Sequence, residues 1–168
     1  MTENSTSPAE ILPAGTTAPD FTLPTTPERS VTLSELRGRP VVLVFYPFDW
    51  SPVCSDELVV FTEALSRIGE HGATVLGISV DSVWSHQAYR ADRAIGFELL
   101  ADFEPKGVVA REYGIYESTG GFAGRALFVL DGAGVIRWCH LSPPAVNPGV
   151  DGVLDALSRL DAGDSSSA

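Results

Sequence analysis

The sequence predicts an α/β sandwich: a mixed central β-sheet flanked by helices. Three observations carry this. Val41–Tyr46 is aliphatic or aromatic at every position, as in a central strand covered on both faces, and Thr74–Val80 is a second strand of the same buried kind. Each is followed by a segment whose apolar residues recur at helical spacing. Ala126–Leu130 and Val135–His140 then flank Asp131–Gly134, a turn-forming stretch that predicts an antiparallel hairpin. Alternating strands and helices make the central strands parallel, and the hairpin makes the sheet mixed.

The remaining elements follow in order. Residues 1–13 are polar and rich in Ser, Thr and Pro, and residues 163–168 are similar, so both read as disordered tails around one domain over 14–162. Gly15–Leu23 and Arg29–Leu33 alternate apolar with polar residues around Pro-containing turns, which predicts an N-terminal hairpin extension. Ser34–Gly38 reads as a helical turn. From Cys54 onward Leu58, Phe61, Leu65 and Ile68 keep helical spacing, and Asp56 and Glu57 suit the positive end of that helix's dipole. Gly69 or Gly72 can end it. Ser82–Ala94 reads as a helix carrying Trp84 and Tyr89, Leu99–Asp102 as a short strand, and Gly107–Tyr113 as a short helix. Val150–Leu160 reads as a closing amphipathic helix.

Composition narrows the function. The chain has 168 residues, about one domain's length. Its formal net charge of -11 repels polyanions, and no Lys/Arg cluster interrupts the acidic background, so nucleic acid is not an expected partner. No apolar run approaches the roughly 20 residues a membrane span needs, and no membrane association is expected. The first ten residues have neither a basic nor an apolar signal region, so a cytoplasmic location is expected. Of the two cysteines, Cys54 and Cys139, neither stands in a Cys-x-x-Cys or Cys/His ligand pattern, and no metal or other cofactor is expected.

Cys54 follows a buried strand and a Pro-containing turn, where a helix begins. The unpaired N–H groups of a first helical turn favour thiolate over thiol, which predicts a reactive cysteine. Pro47 and Pro52 stiffen the loop that delivers it. The Ser51 hydroxyl can donate to a thiolate or accept from a hydroxylic substrate.

The run Pro47-x3-Ser51-x2-Cys54 resembles the Pro-x3-Thr/Ser-x2-Cys signature of the peroxiredoxins, thiol peroxidases on a thioredoxin-like fold. Ala18–Phe21, Gly77–Asp81, Leu99–Asp102, Tyr113–Gly114 and Arg125 ahead of Leu127–Asp131 support the resemblance in order. It covers about Gly15 to Leu160 and is greatest to the alkyl hydroperoxide reductase E and bacterioferritin-comigratory-protein groups. It implies that Cys54 is the peroxidatic cysteine and that Arg125 reaches its sulfur, with Pro47 and Ser51 completing the catalytic set. Val53 joins Ser51, Cys54 and Arg125 in substrate binding through its main-chain N–H. Glu57 matches a position that orients the arginine. A cation beside the thiol would favour its ionised form, and its fork of donors can hold peroxide oxygens. The substrates implied are hydrogen peroxide, organic hydroperoxides and peroxynitrite; the reductant implied is an external thiol, either a low-molecular-weight one or a thioredoxin- or glutaredoxin-type protein.

Cys139 is the candidate for resolving the sulfenic acid. With the turn at Asp131–Gly134, Leu130 pairs with Val135 and Arg125 with His140, placing Cys139 opposite Ala126. Arg125, Leu127 and Val129 then share a face with Ile136, Trp138 and His140, while Cys139 points to the other. A bulge would reverse that facing. Cys139 also misses the position, Val59 here, where the family can place a resolving cysteine, so a one-cysteine mechanism is expected. His71 and His86 read as solvated, and His140 as facing the Arg125 side. Phe48, Trp50 and Trp84 suggest a homodimer interface beside the site loop. A redox-sensing or holdase-type interaction protein using the same cysteine is the alternative function. A disulfide reductase or a copper chaperone would need a second thiol near Cys54, and none is in the sequence nearby.

Overall fold

The computed structural model describes residues 10–163. Strands β1 (Thr22–Thr26) and β2 (Arg29–Thr32) form a hairpin, followed by a 3-10 turn over Leu33–Leu36. Then come β3 (Val41–Phe45), α1 (Pro52–Glu63), α2 (Leu65–Gly69), β4 (Thr74–Ser79), α3 (Val83–Asp92), β5 (Glu98–Ala101) and α4 (Val108–Glu112). A small hairpin of β6 (Tyr116–Glu117) and β7 (Phe122–Ala123) precedes β8 (Arg125–Leu130), β9 (Ile136–Ser142) and α5 (Asp151–Gly163).

The main sheet has the order β5-β4-β3-β8-β9. β3, β4 and β5 run parallel, whereas β8 is antiparallel to both β3 and β9. This is the mixed sheet the sequence predicts. Because side chains alternate along a strand, β3 divides its residues between two apolar layers. Val42, Val44 and Tyr46 pack with Leu58, Phe61, Ile68, Tyr89 and Leu157, so α1, α2, α3 and α5 cover one face. Val41, Leu43 and Phe45 pack on the other with Phe21, Leu23, Val109 and Tyr113, from the N-terminal hairpin region and α4.

Several boundaries differ from expectation. α1 begins at Pro52 rather than Cys54, because proline has no N–H to lose at a helix start, and Ser51 takes the N-cap position. Asp56 and Glu57 therefore lie beyond the first turn. The helical spacing through Ile68 is interrupted at Ala64, giving two helices. The segment before residue 14 was expected to be a tail, yet Ile11 and Leu12 pack against the core and Leu12 N–H donates to the Tyr113 carbonyl at 3.1 Å. Gly114 permits this approach: its φ is +73°, and a Cβ there would stand 1.8 Å from the Glu10 carbonyl oxygen. α5 runs through Gly163, the first residue of the expected C-terminal tail, and the rest of the two expected tails, residues 1–9 and 164–168, lies outside the described residues.

The β8–β9 register also differs. Arg125 pairs with Ser142 and Cys139 with Phe128, not with His140 and Ala126. The turn takes in Val135, so Leu130 pairs with Ile136, and a bulge then makes Trp138 the partner of Val129. Two single-residue shifts leave the facing of Cys139 unchanged, since the side-chain period is two. Ile136 lies between those shifts and is the residue that flips: it packs with Phe128 and Leu130, not on the Arg125 side.

Candidate active site

Cys54 is the third residue of α1 and is fully buried. The first main-chain bond of this helix runs from Ser55 N–H to the Ser51 carbonyl at 2.9 Å. The N–H groups of Val53 and Cys54, one step earlier, have no carbonyl four residues back within the helix and present a positive edge at its N-terminus. Ser51 is extended (φ −69°, ψ 142°), and its hydroxyl makes no capping bond, so the side chain is not committed to the helix start. Pro47 is buried just past the end of β3 and sets the exit of the chain from the sheet.

Arg125 opens β8 and is 2% exposed. Its facing on the sheet is that of Leu127 and Val129, which lie in the same layer as Cys54. Its Nη2 donates to the Cys54 sulfur at 3.3 Å, across 71 residues of sequence. On α1, Glu57 stands three positions after Cys54, one helical turn along the same buried face, and accepts from Arg125 Nη1 at 2.5 Å. The third anchor is a main-chain group: the Pro144 carbonyl accepts from both Nε (3.0 Å) and Nη2 (2.7 Å). The guanidinium is thus held in one plane by Glu57, Pro144 and Cys54. Burial opposes the charge on Arg125, but contacts with Cys54 and Glu57 more than offset it and raise its proton affinity, so the group is a permanent cation beside the sulfur.

Glu57 is in a less settled state. Burial pushes its carboxyl up to about 7 against the opposing pull of Arg125. One oxygen, Oε2, meets the guanidinium; the other, Oε1, is buried with no hydrogen-bond partner.

Beside Arg125 opens a cavity of about 810 Å³, walled largely by apolar side chains that include Ile115, Tyr116, Phe122, Leu141 and Pro143. The Phe122 ring stands edge-on to Phe48 of the Cys54 loop at 5.5 Å, which joins the cavity wall to that loop. A group of this size and polarity suits an apolar ligand portion next to a cation.

Cys139 is only partly buried, and it packs in the opposite layer from Cys54. Burial raises its thiol above the ordinary value. His71 pairs with Asp161 at 2.5 Å, and His140 is exposed, stacked on Trp138 and 3.1 Å from the Ser142 hydroxyl. His86 departs from expectation: it is buried, bonded to Asp49 at 2.8 Å and to the Leu100 carbonyl at 3.0 Å. Its polar neighbours in sequence hide this, because the partner is 37 residues away. The part played by Pro144 has no sequence signal, since no side-chain pattern can reveal a carbonyl's role. Among the described residues there is no group of three or more His, Cys, Asp or Glu side chains arranged for a metal, and no helix is long and apolar enough to cross a membrane.

Known proteins are similar to this chain as a whole. The family model described as AhpC/TSA family matches residues 14–139. The chain is 35% identical over 153 residues to alkyl hydroperoxide reductase E of Mycobacterium bovis, covering 90% of this chain and all of that one. It is 34% identical over 152 residues to peroxiredoxin 2 of Thermoplasma acidophilum, covering 87% of this chain and 75% of the relative. Among solved structures, peroxidoxin BcpB from Mycobacterium tuberculosis superposes with a TM-score of 0.79 at 29% identity, covering 88% of this chain and 97% of the other. A thioredoxin-like sandwich, a family match over most of the chain and relatives spanning nearly all of it place this protein in the AhpC/TSA family, the peroxiredoxins.

Proposed function

We propose that this chain is a thiol-dependent peroxidase that reduces hydrogen peroxide, organic hydroperoxides and peroxynitrite at Cys54. The observation that carries the reading is the 3.3 Å contact between Arg125 Nη2 and a sulfur seated at a helix N-terminus. In the first step the Cys54 thiolate attacks one peroxide oxygen, a S–O bond forms and the O–O bond breaks. The departing oxygen leaves as hydroxide or alkoxide, which takes up a proton to become water or alcohol, or, from peroxynitrite, within nitrite. Negative charge moves from sulfur to that oxygen, next to the Arg125 cation and the Val53 and Cys54 N–H groups. The Ser51 hydroxyl bonds the substrate, Pro47 fixes the loop, and Glu57 orients the arginine.

Cys54 is left as a sulfenic acid. An external thiol condenses with it, releasing water and forming a mixed disulfide; a second thiol then frees Cys54 and leaves as the oxidised disulfide. The reductant is a low-molecular-weight thiol or a thioredoxin- or glutaredoxin-type protein. The facing of Cys139 supports this one-cysteine route. The apolar cavity beside Arg125 supports an organic hydroperoxide as substrate. Phe48, Trp50 and Trp84 are exposed aromatic groups at 38%, 46% and 69%, which supports a homodimer formed at this edge. The working location is the cytoplasm.

Peroxide loss followed with wild type, Cys54→Ser and Cys139→Ser, supplied in turn with thioredoxin, glutaredoxin and small thiols, tests the reading. Sustained consumption that needs Cys54 supports it. A single stoichiometric oxidation under every reductant would favour the redox-sensing reading instead.

A further inference from the structure

The buried His86 belongs to a polar cluster behind the Cys54 loop that makes no direct contact with the Cys54 sulfur or Arg125. Asp49 precedes Cys54 on that loop, and its side chain is fully buried with that of His86 on α3. Asp49 Oδ1 accepts from the Tyr46 hydroxyl at 2.6 Å, and Oδ2 accepts from the Ser85 hydroxyl at 2.8 Å and faces His86 Nδ1 at 2.8 Å. Its own N–H donates to Asp81 Oδ2 at 2.8 Å, and Asp81 is held in turn by the Ser79 hydroxyl at 2.6 Å. The other imidazole nitrogen, Nε2, lies 3.0 Å from the Leu100 carbonyl on β5.

Donor accounting places one hydrogen on His86 and one between His86 and Asp49. A carbonyl only accepts, so Nε2 carries a hydrogen. Asp49 Oδ2 and Nδ1, 2.8 Å apart, share a second hydrogen, which rests on Nδ1 when the carboxyl is ionised. The Tyr46 hydroxyl, 3.5 Å from Nδ1, has already given its hydrogen to Asp49. Two carboxyl side chains, Asp49 and Asp81, converge here, and His86 is the basic side chain in direct contact with Asp49.

The residue after Asp49 shows what the pair holds in place. Trp50 is a non-glycine residue with φ of +72°, a left-handed conformation that costs energy and persists only where its surroundings impose it. Asp49 fastens one side of this turn. On the other side the Trp50 indole donates to the Ser85 hydroxyl at 3.3 Å and stands edge-on to Tyr89 at 5.1 Å, while the Tyr89 hydroxyl bonds Ser55, the neighbour of Cys54. Ser51, Val53 and Cys54 follow directly from this turn, so its geometry sets where their donors point.

We propose that Asp49 and His86 form a buried carboxylate–imidazolium pair that positions the Cys54 loop for reaction with peroxide, both acting as positioning residues that do not touch the substrate. The proposal rests on the assignment of Cys54 as the peroxide-reactive thiol. Its effect is on alignment, so it separates from a loss of thiolate: misaligned donors slow attack on peroxide, which needs an oriented O–O bond, far more than alkylation of the same sulfur by iodoacetamide, which does not.

The test compares peroxide oxidation with iodoacetamide alkylation of Cys54, at one pH, in wild type, Asp49→Asn, His86→Asn and Ser85→Ala, with near-ultraviolet circular dichroism to establish that each is folded. The ratio of the two rates is expected to fall about tenfold or more in the first two variants and by a smaller factor in Ser85→Ala, which removes a bond to Asp49 without emptying a core position. A ratio within about twofold of wild type in every folded variant overturns the positioning role. Should Asp49→Asn and His86→Asn not fold, Ser85→Ala alone decides in the same way. Nitrogen-15 spectra of wild-type His86 at neutral pH are expected to show both ring nitrogens protonated; a single protonated nitrogen overturns the charged pair. Wild type reacting with peroxide no faster than a free thiol would instead remove the underlying functional reading.

Discussion

Cys54 and Cys139 lie on opposite faces of the same sheet: Cys54 in the layer of Leu127 and Val129, Cys139 beside its strand partner Phe128 in the layer of Phe45 and Leu43. A disulfide needs Cα atoms within about 7 Å and Cβ vectors that converge, and the intervening sheet of β3 and β8 prevents this without unfolding. The expected consequence is that Cys139→Ser keeps peroxide turnover with an external thiol within about twofold of wild type. Intact mass after one equivalent of peroxide should show a gain of about 16 Da on wild type, the mass of one oxygen, rather than a loss of about 2 Da. A loss of two hydrogens that disappears in Cys139→Ser would sink the one-cysteine route.

Arg125 sets a cation beside the sulfur and donates to it through Nη2. Arg125→Ala should lower the second-order rate with peroxide by about 10²–10³-fold, the usual cost of removing an oxyanion donor from a buried site. Arg125→Lys should recover little, since an ammonium cannot engage Glu57, Pro144 and Cys54 in one plane. Stopped-flow measurement of Cys54 oxidation checks both variants.

Glu57 gives a pH prediction whose sign is unusual for a carboxylate. Its folded-state value, pushed up to about 7 mainly by burial, lies above the ordinary 4.5. Between those two values the folded chain holds a proton that the unfolded chain has released, so stability from this group is present at low pH and declines as pH rises through about 7. Wild type should therefore lose stability relative to Glu57→Gln as pH goes from 5 to 8. Paired thermal melts across that window test it, and a difference that stays flat or grows in favour of wild type counts against a raised Glu57.

The cavity beside Arg125 predicts a substrate-dependent effect. Leu141 lines it and is 49% exposed, so a polar residue there leaves the core intact. Leu141→Asp should reduce kcat/KM for a long-chain alkyl hydroperoxide by about tenfold, corresponding to about 1.4 kcal/mol of lost apolar contact, with hydrogen peroxide little affected. Equal losses for both substrates would mean that the cavity does not receive the alkyl group.

Much of this was legible in the sequence because it is written in local pattern. The unbroken apolar run Val41–Tyr46 marks the central strand, and the spacing from Pro47 to Cys54 marks the loop and helix start. Arg125 was reached through its place ahead of Leu127–Asp131. The illegible parts depend on partners distant in sequence or on backbone groups. His86 sits among polar neighbours, yet Asp49 and Leu100 bury it. The Pro144 carbonyl leaves no side-chain signal. The strands β6 and β7, at two residues each, are too short for periodicity to register. The bulge at β9 shows the same limit: turn length and bulge changed the pairing of Cys139 and flipped Ile136, and neither is encoded in alternation.

Peroxidase activity at Cys54 requires surroundings that make its sulfur a far better nucleophile toward peroxide than an ordinary thiol. The most direct measurement is the second-order rate of hydrogen peroxide with reduced protein at neutral pH, in wild type and Cys54→Ser, beside free cysteine under the same conditions. The wild-type rate is expected to lie at least about a thousandfold above free cysteine, as oriented donors in a dry site supply, with none of that excess in Cys54→Ser. A wild-type rate equal to that of free cysteine, or one that survives Cys54→Ser, would contradict it.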